Sequence, residues 1–370
     1  MGRRIDRPRH EPGRCRRSRD GDRRSRHGRI DRIAEGHEGN EGNEGNERSD
    51  GSDGKGGFGM KISEFATREE LAEFTAHDDW KAAGYLVFNW AFVAAIFTGV
   101  AIWTNPLTIL AGIALLGGRQ LGFAVLEHDC GHRTLFSNPR ANAILGQWLC
   151  AYPVLSDLPR YAAGHLKHHA FAGTRKDPDL PNYQAYPISP ASFRRKVIRD
   201  LTGQTGWKAV KAAWRRGKAD LGKAPWNGNA IGGQLIMNGL LFAVLFSFGE
   251  GALYLMWPVA YLTSYMLIAR LRQVAEHGAV PDLFDPDPRK NTRTTLVRWW
   301  ERLFVAPFHV NYHLEHHLAA NIPCYNLPAF HRFLEAKGVY EETVFPKGYP
   351  ELYATTVPGL AGGWMKPSSA

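Results

Sequence analysis

Residues 84–103, GYLVFNWAFVAAIFTGVAIW, run for twenty positions without one charged side chain. As a helix, such a run has the length needed to cross the roughly 30 Å hydrocarbon core of a bilayer. Asn105-Pro106 breaks it, and a second run follows at once over 106–126, with Arg119 and Gln120 near its far end. Two further runs, 231–249 and 251–271, are separated only by Glu250. The apolar segment 141–155 is short and contains Pro153, which predicts a re-entrant or interfacial segment rather than a span. The expected fold class is therefore all-α: a membrane-embedded helical protein with about four transmembrane helices in two hairpins.

The short links at 104–106 and 249–251 turn each hairpin back to its starting side. The segments 127–230 and 272–335 must then share one face, where they form a helical cap. Between 156 and 230 this face carries fourteen lysines and arginines, among them Arg194, Arg195, Lys196, Arg199, Lys208 and Lys211. By the positive-inside rule it is the cytoplasmic face of a multi-pass integral membrane protein. Topology and lipid headgroup contact account for these cations, so nucleic acid is not an expected partner.

Mean hydropathy over the chain is negative, which a soluble protein would also give. The polar residues 1–59 cause it, with 14 Arg and one Lys against 12 Asp and Glu and the repeat GNEGNEGNE. That segment has no apolar run to offset ordering entropy and is expected to be disordered. Met60 opens ordinary protein text and is the expected true start, opening a single unit over 60–370. SEFATREELAEF (63–74) predicts an amphipathic helix with Ser63 or Thr67 at its N-cap. The four cysteines, at 15, 130, 150 and 324, form no C-x-x-C pair, which argues against a thiolate zinc site or a disulfide framework.

Nine of the fifteen histidines fall on the one predicted face. His128 and His132 follow the second span in HDCGH. His165, His168 and His169 form HLKHH, His277 follows the fourth span, and His313, His316 and His317 form HLEHH. On a helix, positions i, i+3 and i+4 share a face. Each triplet thus presents three imidazoles to one point or to two adjacent points, a pattern that suits iron, zinc, copper or nickel. One ion with four to six ligands cannot use nine histidines, whereas two ions can. The i+3 and i+4 members are then free to diverge toward different ions. H-E-x-x-H is absent, and the residues alone leave iron and zinc both open.

HDCGH, HLKHH and HLEHH, in that order around two membrane hairpins, resemble the three histidine boxes of integral-membrane fatty acid desaturases. The downstream HHLAANIPCYNLP resembles that family's continuation, and the likeness covers roughly 80–335. The resemblance implies two iron ions held by the three boxes and one further histidine, here His277, with O2 as co-substrate. It implies removal of two hydrogens from an unactivated acyl chain of a lipid or fatty acid, giving an alkene and water. Oxygen insertion, as in carotenoid ketolases and hydroxylases, is the related alternative. A non-enzymatic metal-binding membrane protein or transporter is disfavoured, because transport ligands belong near the bilayer midplane.

Four residues before His277, where some family members carry a water-linked Asn, this chain has Gln273. No H-P-G-G haem motif is present, so the resemblance implies an external electron donor, a ferredoxin or a b-type cytochrome, which the basic face could dock. Metal-bound imidazoles usually give their second N–H to a carboxylate or carbonyl. Glu127, Asp129, Asp157, Asp177, Asp179, Glu276 and Glu315 are the candidates by position. His309, four before His313, is expected on the same helical face in a supporting role, and His331 is left unassigned.

Overall fold

The computed structural model describes residues 62–360, and the expectations for the first 59 residues lie outside that range. The described residues form helices and connecting turns with no strand among them, and four helices are long and apolar enough to cross a membrane. The fold class expected from the sequence is met. A short helix, α1 (Arg68–Thr75), is closed by a capping box between Thr67 and Glu70. The first hairpin pairs α2 (Asp79–Ile102) with α3 (Pro106–His132). At the turn, Asn105 accepts from the backbone N–H groups of Leu107 and Thr108, and Pro106 occupies the first helical position.

At 27 residues, α3 is about 40 Å long, roughly 10 Å more than the hydrocarbon core. The excess carries His128 and His132 past the apolar part of the helix. The second hairpin pairs α7 (Ala230–Ser247) with α8 (Gly251–His277), also 27 residues long, whose last residue is His277. Near Pro258, α8 loosens into a π-helical turn over Tyr261–Tyr265. Between the hairpins lie α4 (Leu158–Phe171), α5 (Pro190–Leu201) and α6 (Gln204–Gly217). The tail adds α9 (His313–Leu318), α10 (Leu327–Ala336) and α11 (Tyr349–Thr356). Residues 139–154 form a bent helical segment instead of a span, passing from α-helix through π-helix to a 3-10 turn that contains Pro153.

The central element is α3. The apolar window of α3 is 61% buried, against 28–33% for the other three spans. Its small residues allow this. A Cβ on Gly117 would fall within 2.7 Å of the Tyr265 backbone nitrogen, so α3 and α8 touch backbone to backbone. The polar residues of α3 also face inward. Arg119 donates to Asn89 and to the Leu303 carbonyl, and Gln120 donates to the Trp257 carbonyl at 2.9 Å. An apolar cluster that includes Leu126, Leu158, Leu314 and Phe330 clamps α4, α9 and α10 over the projecting end of α3.

Candidate metal centre

Each histidine box is placed by a different device. His128 and His132 sit one turn apart at the end of α3, where Arg133 closes the helix in the left-handed region at φ 62°. The second box occupies the last two turns of α4. A Cβ on Gly131 would stand 3.3 Å from the Ala162 Cβ, so α4 lies close against the end of α3 and the two boxes meet. Accordingly, the His128 and His165 ring centroids are 4.5 Å apart. The third box is α9, six residues long and too short to hold itself together alone. Its anchor is Glu315, which accepts from Thr294, from Tyr340 at 2.6 Å and from His331 Nδ1 at 2.6 Å.

The nine histidines fall into two groups. His128, His132, His165, His169 and His316 form one; His168, His277, His313 and His317 form the other. Within each group the ligand-capable nitrogens all lie within 4.8 Å of one another. Several are much closer. His277 Nε2 is 2.9 Å from His313 Nε2, His317 Nε2 is 3.1 Å from His313 Nε2, and His316 Nε2 is 2.9 Å from His169 Nε2.

The outward nitrogens show what these contacts mean. His128 Nδ1 lies 2.9 Å from Asp129 Oδ1, His168 Nδ1 lies 2.9 Å from Asp177 Oδ1, and His277 Nδ1 lies 3.1 Å from the Asn291 carbonyl oxygen. A carboxylate or carbonyl only accepts, so Nδ1 carries the proton and the Nε2 lone pair faces inward. His313 Nδ1 is directed to Glu276 Oε1 at 3.5 Å. The Nε2 atoms of His128 and His132 are buried without any hydrogen-bond partner. The bare Nε2 lone pairs of His277 and His313, 2.9 Å apart, repel unless a cation lies between them. Nitrogens sharing one ion at about 2.1 Å would stand about 3.0–3.4 Å apart for ordinary ligand angles, close to the spacing of these pairs. The donor sets therefore fit two metal ions.

Burial favours the same protonation state. His165, His313, His316 and His317 have pKa values pushed well below the usual imidazole value, first by desolvation and then by neighbouring histidines. His169 is lowered to about 2 for the same reasons. Desolvation alone would raise the Asp177 carboxyl. Hydrogen bonds from His168, Tyr183 and the Asp179 N–H outweigh it and hold the group below the usual carboxylate range. Two rings pack flat on the histidines, Tyr161 on His165 and Tyr183 on His277.

The other carboxylates have different partners. Glu127 accepts from Ser156 at 2.6 Å, and Asp157 accepts from Gln147 and pairs with Arg160. Glu315 serves α9 itself through His331, which gives that histidine a role. His309 does not share a helical face with His313. Phe308 and His309 both have positive φ, 52° and 64°, so the chain kinks before α9 begins, and His309 Nε2 meets the Tyr85 hydroxyl at 3.1 Å. The expected support of the cluster by His309 is thus corrected. Sequence reasoning missed the Asn291 carbonyl, because any residue can supply one.

Residues 103–346 match the family model described as fatty acid desaturase. The chain belongs to the fatty acid desaturase family. It is 29% identical to a dihydrorhizobitoxine desaturase of Bradyrhizobium elkanii over 66% of this chain and 73% of that protein. It is 26% identical to a beta-carotene ketolase of Paracoccus sp. (strain PC1) over 60% and 79% of the two chains. An sn-1 oleoyl-lipid 12-desaturase of Picosynechococcus sp. is 25% identical over 67% and 74%. As a member of this family with four membrane-length helices, the chain is an integral membrane oxidoreductase of the desaturase or oxygenase type. Beside its histidines lies a cavity of about 360 Å³, lined by Tyr161, Asp179, Tyr183, Gln273, Glu276 and His313, among others.

Proposed function

We propose that the chain uses two iron ions, an external electron donor and O2 to desaturate the acyl chain of a lipid or fatty acid, with the metal centre on the cytoplasmic face. The carrying observation is the division of nine inward-facing imidazoles into two groups of five and four. All nine histidines act as ligands in this reading. When bound, the iron pair supplies the redox chemistry that turns O2 into an oxidant for an unactivated C–H bond.

The chain's own residues supply the rest. Asp129, Asp177 and the Asn291 carbonyl keep the protons of His128, His168 and His277 on Nδ1, which fixes ring orientation and raises ligand basicity. Burial of the cluster excludes water from side reactions. Tyr161 and Tyr183 hold the rings of His165 and His277 against rotation. Gln273, on the cavity wall beside His277 and His313, is placed to hold a water against the four-histidine group. The neutral histidine set suits ions bound without the bridging carboxylates of soluble di-iron bundles.

The test is elemental analysis of detergent-purified protein beside the double variant His168→Ala/His169→Ala, which removes one member of each group. Iron in the wild type, reduced to background in the variant, together with new double bonds in host lipid, supports the proposal. Zinc alone from iron-supplied cells defeats the O2 chemistry. Hydroxylated or keto products in place of alkenes would move the chain to the oxygenase branch.

A further inference from the structure

The helix pair α5 and α6 carries more positive charge than the fold neutralises. Arg195, Lys196 and Arg199, with Ser192 and Ile198, line a concavity of about 450 Å³ on α5. None of the three cations forms an ion pair among the described residues. The acid nearest in sequence, Asp200, is already engaged. Both its oxygens accept from Arg270 of α8, at 2.5 and 2.8 Å, and it also accepts from Thr205. Lys196 instead stands over the Tyr186 ring at 5.9 Å, and burial together with Arg270 and Arg199 lowers its pKa. Converging cations without a counter-charge are a site for an anion.

The neighbouring helix indicates which anion. On α6, Trp207, Lys208, Lys211, Trp214 and Arg215 are all exposed and recur at i, i+1, i+4, i+7 and i+8, so apolar rings and cations share one face. This helix lies directly on the membrane spans. A Cβ on Gly206 would stand 2.5 Å from the Leu262 Cα, and one on Gly217 would stand 2.7 Å from Ile231, at the start of α7. Trp207 also borders an apolar groove of about 330 Å³ walled by Leu235 and Leu262 of the spans. Tryptophans beside lysines at the edge of the hydrocarbon are the signature of an element lying in the headgroup layer. An acidic soluble protein would match the cations but not the exposed rings or a groove walled by the spans.

We propose that α5 and α6 form a seat for an anionic phospholipid, with its phosphate over Arg195, Lys196 and Arg199 and the tryptophans of α6 at glycerol level. Bound lipid would hold α5, and through Asp200 and Arg270 would brace α8, the helix that ends in His277.

The test titrates the full, metal-loaded chain in neutral detergent with phosphatidylglycerol or phosphatidylcholine. Bound lipid is read by native mass spectrometry and stability by thermal unfolding. Phosphatidylglycerol should bind at least about tenfold more tightly than phosphatidylcholine and raise the melting temperature. Lys196→Gln/Arg199→Gln should weaken phosphatidylglycerol binding about tenfold at unchanged metal content. Lys176→Gln/Lys347→Gln, which removes the same charge elsewhere, should leave it unchanged. The exposed Arg195→Gln serves if the first pair folds poorly. Equal affinity for both lipids, an equal loss in the control pair, or displacement by inorganic phosphate at lipid concentration would each overturn the proposal.

Discussion

His316 and His317 are consecutive, yet their imidazole planes meet at 87° and their centroids stand 5.9 Å apart. One residue of helix turns the chain by about 100°, and that turn sends the two rings to different histidine groups. His316 Nε2 lies 2.9 Å from His169, in the five-histidine group, while His317 Nε2 lies 3.3 Å from His168, in the four-histidine group. His168 and His169 divide in the same way on α4. His316→Ala and His317→Ala should therefore each weaken one site and spare the other. Metal titration of the stripped protein should show about one tight equivalent in each single variant and none in the double variant.

Asp177 should act on one site through His168. It accepts from His168 Nδ1 and from the Tyr183 hydroxyl, whose ring packs on His277 of the same group. Asp177→Asn should lower metal affinity of the four-histidine group about 10–100-fold and leave the five-histidine group unchanged. Asp157→Asn is the control, since Asp157 contacts Gln147 and Arg160 instead. Equal loss at both sites in a metal titration would assign Asp177 to general stability rather than to His168.

What was legible in the sequence was what is local in it. The charge-free runs specify spans by length, and the spacing within HLKHH and HLEHH specifies which imidazoles share a turn. Even the divergence of the i+3 and i+4 members follows from helix geometry. The partners that fix the rings are long-range and were not legible. Asn291 offers His277 only a backbone carbonyl, and Glu315 reaches His331 and Tyr340 across 16 and 25 positions. His309 looked helical because its spacing from His313 is four. Two residues with positive φ undo that spacing, and no composition rule marks Phe308 for such a backbone. Arg119 interrupts an apolar run, but its partner carbonyl belongs to Leu303, 184 positions later in the sequence.

Acid should destabilise the metal-free protein. Burial holds His165, His169, His313, His316 and His317 neutral in the fold, whereas in the unfolded chain they titrate near about 6.5. Between that value and their depressed folded values, the unfolded state binds more protons, so stability falls as pH falls. Chelator-treated protein should melt at progressively lower temperature as pH drops from about 8 to about 5, with most of the loss below about 6.5. Metal release should follow the same direction, because protons compete for the Nε2 lone pairs. A melting temperature that rises toward acid would contradict the neutral cluster.

Gly117 should be a sensitive glycine at the contact between the two hairpins. A side chain there must push α3 from the Tyr265 backbone of α8, and backbone cannot yield as a flexible side-chain end can. Gly117→Val should cost about 1–3 kcal/mol by overpacking. The displaced helix is also the one that carries His128 and His132, while α8 carries His277, so the variant should lose metal affinity as well as stability. On α2, a Cβ added to Gly99 would meet nothing within 4 Å, and Gly99→Ala removes only the flexibility of a helical glycine. It should be neutral or stabilising by up to about 1 kcal/mol. Thermal unfolding with metal analysis separates the two. If both variants behaved like wild type, the backbone contact between α3 and α8 would not be what sets the distance between the hairpins.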